Sequence, residues 1–192
     1  MTAADDVRAV LSADPVMADL LDEHGHVPVE PHARPFERLV VSIVNQQLST
    51  ASAAAIRERL DERVSLTPDG IREADDDVLR ECGLSGPKIR YLRNVADHFP
   101  GGIDRDTYAD RTDEEVRADL TAITGVGEWT ANMFLIFCLG REDVFPVGDL
   151  GIRNGMEALY GHDSRAEMVA HAESWAPYRS YGTRYVWKAY EG

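Results

Sequence analysis

Lysine is almost missing from this chain of 192 residues: it occurs only at Lys88 and Lys188, and arginine supplies the rest of the 20 basic side chains. Cysteine is as scarce, with only Cys82 and Cys138, each alone in an apolar helical context. That excludes a four-thiolate metal cluster and fits buried free thiols better than a disulfide. No apolar run approaches the roughly 20 residues that a membrane-spanning helix needs. The opening "MTAADDVRAV" has neither the basic start nor the apolar stretch of an export signal, so a cytoplasmic protein is expected. Strict apolar and polar alternation, the mark of a half-buried strand, is absent as well, and so are repeats and low-complexity segments.

Negative charge is abundant. Asp and Glu number 34 against 20 Lys and Arg, for a formal charge of −14. Such a surface speaks against a polyanionic partner, because sequence-independent affinity for nucleic acid comes from cations that neutralise phosphates. The scarcity of lysine and the Asp-rich runs, such as "ADDD" at residues 74–77, resemble proteins adapted to concentrated salt. In a halophilic setting the Debye length shrinks to a few ångströms and long-range repulsion matters little. A generic acidic surface kept for solubility is the alternative. Under either reading, any phosphate must be held at short range and by geometry.

Apolar spacing is helical nearly throughout, and the fold class expected is all-α. Phe36, Leu39, Val40, Ile43 and Val44 form the stripe of an amphipathic helix that begins at Pro35, a residue welcome in a first turn. Ser49 caps a second helix through "ASAAAIRERL". Further helices are predicted over residues 68–73, 76–82, 87–98, 113–122, 128–139, 149–160, 164–175 and 178–190. Gly- and Pro-containing loops separate them. The length suits one domain or two small lobes.

Two local patterns carry chemistry. In "LTAITGVGEWTANMFLIFCLG" a helix ends at a Gly-x-Gly turn and an almost wholly apolar helix follows at once. Gly125 and Gly127 permit positive φ and close approach of a foreign backbone, and the new helix points its unsatisfied N–H groups outward. An anion, most commonly a phosphate, suits that position, and dipoles and amides can hold it in a protein of strongly negative charge. Glycine also ends many helix hairpins by a left-handed cap, so the turn alone is weak evidence. The second pattern is "REDVFPVGDLGIR", where an apolar loop delivers Asp149 to the start of a helix. Asp is a preferred N-cap, and a carboxylate fixed there also faces outward as a local anion. The pair His24 and His26 in "HGH" lacks the neighbours of a metal site.

With both patterns in place, "LTAITGVGEWTANMFLIFCLGREDVFPVGDLGIR" resembles the signature of the helix-hairpin-helix (HhH-GPD) DNA glycosylases, and among them the 3-methyladenine DNA glycosylase II type. "PFERLVVSIVNQQLSTASAAAI", "CGLSGPKIRYLRNVA" and "ESWAPYRSYGTRYVWK" extend the likeness over roughly Asp14 to Lys188. It implies a compact two-lobed fold without the additional N-terminal β domain of longer members. One lobe, residues 35–141, would hold the hairpin; residues 1–34 with 142–192 would form the other and carry the catalytic aspartate, with the active-site cleft between them.

The resemblance further implies hydrolysis of the N-glycosidic bond of alkylated purines in base excision repair, with Asp149 as the catalytic carboxylate. Position 129 holds an indole where lyase-competent members carry lysine, so no strand cleavage is expected. Trp129 and Trp187 match base-pocket tryptophans, and Met133 and Leu150 stand where some relatives have tyrosine. On the last helix Trp187 points away from the stripe of Tyr178, Tyr181 and Tyr185. Gln47 or Leu48, in "NQQLS", matches the wedge that fills the gap left by a flipped base. The amides of Gly125, Gly127 and Thr130 would hold a phosphate of double-stranded DNA, and Lys88 could add a contact. No cofactor is required; a structural sodium or potassium ion on the carbonyls of Thr121, Ile123 and Val126 is compatible with the family. A monomer, associated with the nucleoid through DNA, is expected. Action on a deaminated or mispaired base, a catalytically silent DNA-binding module and a protein-binding helical domain are the alternatives.

Overall fold

The computed structural model describes residues 3–191; Met1, Thr2 and Gly192 lie outside the described residues. Among those described, every regular element is helical. In chain order they are α1 (Ala3–Leu11), α2 (Pro15–His24), α3 (Pro35–Asn45), α4 (Thr50–Arg63), α5 (Pro68–Glu73), α6 (Asp76–Glu81), α7 (Gly86–His98), α8 (Asp113–Thr121), α9 (Glu128–Phe137), α10 (Leu150–Tyr160), α11 (Arg165–Ala172) and α12 (Arg179–Glu191). Short 3₁₀ turns occupy Arg105–Tyr108 and Glu173–Trp175. The helix expected over 164–175 therefore breaks after Ala172, where the chain tightens and buries Trp175. Two helices ahead of Pro35 were not anticipated from the sequence. No helix among the described residues is long and apolar enough to cross a membrane.

The backbone divides into two compact units, Met1–Glu30 with Gly140–Gly192 and Pro31–Leu139. In the second, α3 buries Phe36, Leu39, Val40, Ile43 and Val44 against α9, α4 and α7, which is what its apolar stripe demands. Helix α8 packs on α9, and α5 on α7. Cys82 and Cys138 are buried free thiols, and burial pushes the Cys138 thiol up to about 12.

In the first unit, α12 packs against α10 and α2 over a core that includes Leu11, Met17, Ile152, Met156, Tyr185 and Val186. A polar network centred on Asp14 crosses this core. Asp14 Oδ1 caps α2 by accepting from the amides of Val16 and Met17 at 2.9 and 3.3 Å. Its Oδ2 accepts from Tyr160 Oη at 2.9 Å, Trp175 Nε1 at 3.0 Å and His171 Nε2 at 2.9 Å. Burial pushes the Asp14 carboxyl up, but the donors from His171, Trp175, Tyr160 and the Met17 amide outweigh it and hold the group below its usual range.

Candidate active site

The hairpin lies in the second unit. Helix α8 ends at Ala122, and the turn is anchored by Ile123 and Val126, 5% and 4% exposed. Val126 N–H closes it on Ile123 O at 3.0 Å. Gly125 adopts φ +104°, and a Cβ there would run into the ring of Tyr91, so both conformation and packing require glycine. Gly127 differs: its φ is −95° and a Cβ would meet nothing within 4 Å. The fold does not need glycine at 127; close approach of a ligand would. Gly127 is the N-cap of α9, and having no side chain it offers no cap of its own to the first amides of that helix. The buried Thr130 follows in its first turn.

Side chains brace this turn from two neighbouring elements. Asn94 Nδ2 donates to Thr124 O at 2.9 Å. Gln46 Nε2 donates to Gly125 O at 3.1 Å and to Thr130 Oγ1 at 2.8 Å. Gln46 ends α3, and beyond it Gln47 takes φ +56° with its side chain exposed, while Leu48 is 38% exposed. Lys88 lies close by: its Nζ donates to Val44 O at 2.6 Å and Gln46 O at 2.7 Å. An ammonium at those carbonyls compensates the negative end of α3, and burial pushes the Lys88 amine below its usual range. Two of its three donors are thus committed within the protein. Trp129 and Met133 are one turn apart on α9, the indole half-buried and Met133 5% exposed.

Asp149 lies in the first unit. The loop that leads to it is tied to the start of α12: Ser180 Oγ donates to Arg141 O at 2.6 Å, Val144 N–H donates to Ser180 Oγ at 2.9 Å, and Arg179 pairs with Asp143 through Nε at 2.7 Å and Nη2 at 2.9 Å. The backbone then turns through Asp149 N–H to Pro146 O at 2.8 Å. Asp149 is the N-cap of α10, and its Oδ2 accepts the Ile152 amide at 2.9 Å. The same oxygen accepts Trp187 Nε1 from α12 at 3.0 Å. One helix therefore anchors the loop at its first turn and orients the carboxylate at its last. Gly151 fits tightly between the two side chains: a Cβ there would stand 3.1 Å from Asp149 Oδ2 and 3.2 Å from Trp187 Cδ1. Leu150, next to the carboxylate, is 62% exposed.

Asp149, Leu150 and Trp187 thus cluster in one unit, and Gly125, Gly127, Thr130 and Lys88 gather with the Gln47–Leu48 turn in the other. Sequence reasoning missed Gln46 and Gly151, although both lie within the quoted motifs. It also missed Arg179 and Ser180, whose partners at 141–144 are far away in sequence. Among the described residues, no three His, Cys, Asp or Glu side chains come together as a metal site.

The sequence model for HhH-GPD superfamily base excision DNA repair proteins matches residues 40–179. The chain belongs to this superfamily. Among HhH-GPD relatives, DNA-3-methyladenine glycosylase 1 of Schizosaccharomyces pombe is 37% identical over 163 residues, 80% of this chain and 72% of the relative. The crystal structure of DNA-3-methyladenine glycosidase from Bacillus halodurans superposes with TM-score 0.81 at 36% identity, covering 98% of this chain and 90% of the other. The S. pombe 3-methyladenine DNA glycosylase in complex with abasic DNA gives TM-score 0.86 at 31% identity, covering 97% of each chain. The all-helical fold is thus the HhH-GPD fold.

Proposed function

We propose that this chain is a monofunctional DNA glycosylase that hydrolyses the N-glycosidic bond of alkylated purines, of the 3-methyladenine type, in base excision repair. The observation that carries the reading is the carboxylate of Asp149, held by an amide and an indole from different helices in a chain of this superfamily. As the C1′–N bond breaks, positive charge develops on the sugar, and a fixed carboxylate stabilises it. A purine methylated at N3 carries positive charge already and leaves as a neutral base. The electron pair of the bond goes to the ring, water adds its oxygen to C1′, and the released proton passes to solvent. No general acid is obligatory.

Trp129 stands where a Schiff-base lysine would be needed for strand cleavage, which supports hydrolysis alone. An electron-poor base stacks on an indole face, and Trp129, Trp187, Met133 and Leu150 are the residues proposed to meet it. The amides of Gly125, Gly127 and Thr130 would receive a backbone phosphate, with Gln47 or Leu48 as the wedge. Neutral carbonyl oxygens at a helix end suit a hard monovalent cation, so Thr121, Ile123 and Val126 would hold one, which adds positive charge beside that phosphate. A panel of duplexes, each with a single alkylated, deaminated or mispaired base, tests the reading when released base and strand breaks are scored separately. Release of alkylated purine without strand breaks is expected; breaks formed by the protein itself, or release confined to deaminated or mispaired bases, would contradict it.

A further inference from the structure

The turn after α3 and the hairpin are far apart in sequence but share hydrogen bonds, and the shared residue is Gln46. Its side-chain amide has two hydrogens. Gly125 O receives one at 3.1 Å and Thr130 Oγ1 the other at 2.8 Å. Its backbone carbonyl accepts Lys88 Nζ at 2.7 Å, so the residue is held from both ends. The next residue, Gln47, is exposed in the left-handed region at φ +56°. A side chain other than glycine persists there only when its surroundings over-determine it, and the bonds to Gln46 supply that constraint. The same two partners, Gly125 and Thr130, contribute amides to the proposed phosphate grip.

We propose that Gln46 is a positioning residue that fixes the Gln47–Leu48 wedge to the phosphate-holding hairpin, so that grip on the backbone and insertion into the base stack occur in register. This rests on the reading of the chain as a base-flipping protein. It requires a donor at position 46: Gln46→Met keeps the length of the side chain and loses both bonds, and Gln46→Glu keeps its shape but sets an acceptor against Gly125 O. Neither change touches an amide that holds phosphate, so affinity and insertion separate.

The test uses the full chain and a duplex with a tetrahydrofuran abasic site opposite 2-aminopurine. Anisotropy reads binding, 2-aminopurine fluorescence at saturating protein reads insertion, and thermal melting checks folding. Expected are a large fluorescence change with the parent chain, and for both variants loss of most of that change with Kd within about threefold of the parent, a small free-energy difference. A full fluorescence change in Gln46→Met, equal loss of binding and fluorescence, or no change with the parent chain would each overturn the proposal. If the parent chain shows insertion but releases no alkylated base from the lesion duplexes, the glycosylase reading fails while the role of Gln46 stands.

Discussion

Gly151→Ala separates the catalytic geometry from the stability of the fold. Position 151 lies in the first turn of α10, where alanine fixes the backbone at a lower entropy cost than glycine. The new methyl would stand 3.1 Å from Asp149 Oδ2 and 3.2 and 3.3 Å from Cδ1 and Nε1 of Trp187. Ordinary van der Waals contact begins near 3.4 Å, so relief moves the carboxylate or the indole by about 0.3 Å. The bonds at risk are those from Trp187 at 3.0 Å and Ile152 at 2.9 Å. A displacement of 1 Å at a reacting group costs about a hundredfold in rate, and 0.3 Å scales to roughly fourfold. Single-turnover base release should therefore fall about fourfold, while the melting temperature holds or rises. An unchanged rate would refute the claim that the Asp149 and Trp187 pair is geometrically critical. A slower rate with a matching loss of stability would refute the separation.

Asp14→Ala removes the cap of α2 and leaves the donors of Tyr160, His171 and Trp175 without their acceptor; denaturant unfolding near neutral pH should show a loss of about 3–5 kcal/mol. Because the Asp14 carboxyl lies below its usual range when folded, its contribution is complete above the unfolded value near 3.9 and disappears as pH falls through the lower folded value. The gap between parent and variant should accordingly shrink only below about pH 4. Gly127→Ala should fold with an unchanged melting temperature and bind abasic duplex about tenfold more weakly, whereas Gly125→Ala should lose stability, since one site is open and the other is closed by Tyr91. Binding to duplex DNA should depend shallowly on salt, because amides rather than lysines make the phosphate contacts; a log–log slope as steep as about −6 would contradict this.

The helices from α3 onward were legible because their apolar stripes and caps are local: Ser49, Ser85, Thr112 and Ser164 accept amides in the first turns of α4, α7, α8 and α11. The break after Ala172 was not legible, since helical periodicity runs on while burial of Trp175 decides the geometry. Asp149 was readable as a cap from its place ahead of the α10 stripe, which the structure bears out, and as a candidate catalyst only through the family resemblance. Trp187 was readable as a residue turned away from the tyrosine seam, but not as a donor to Asp149, for that bond joins residues 38 positions apart. Gln46 escaped notice for the same reason: the residues that follow it are exposed, and its partners lie 79 and 84 residues away.

Asp149→Asn asks whether one carboxylate steadies a sugar turning cationic. The amide keeps the shape of the side chain and an oxygen to accept the Ile152 N–H and the Trp187 indole N–H, so the cap is kept while the charge is lost. Single-turnover release of an alkylated purine at saturating protein should fall by at least about a hundredfold with duplex affinity unchanged. Release within a few-fold of the parent, at equal affinity, would mean that the charge of Asp149 does not drive the reaction.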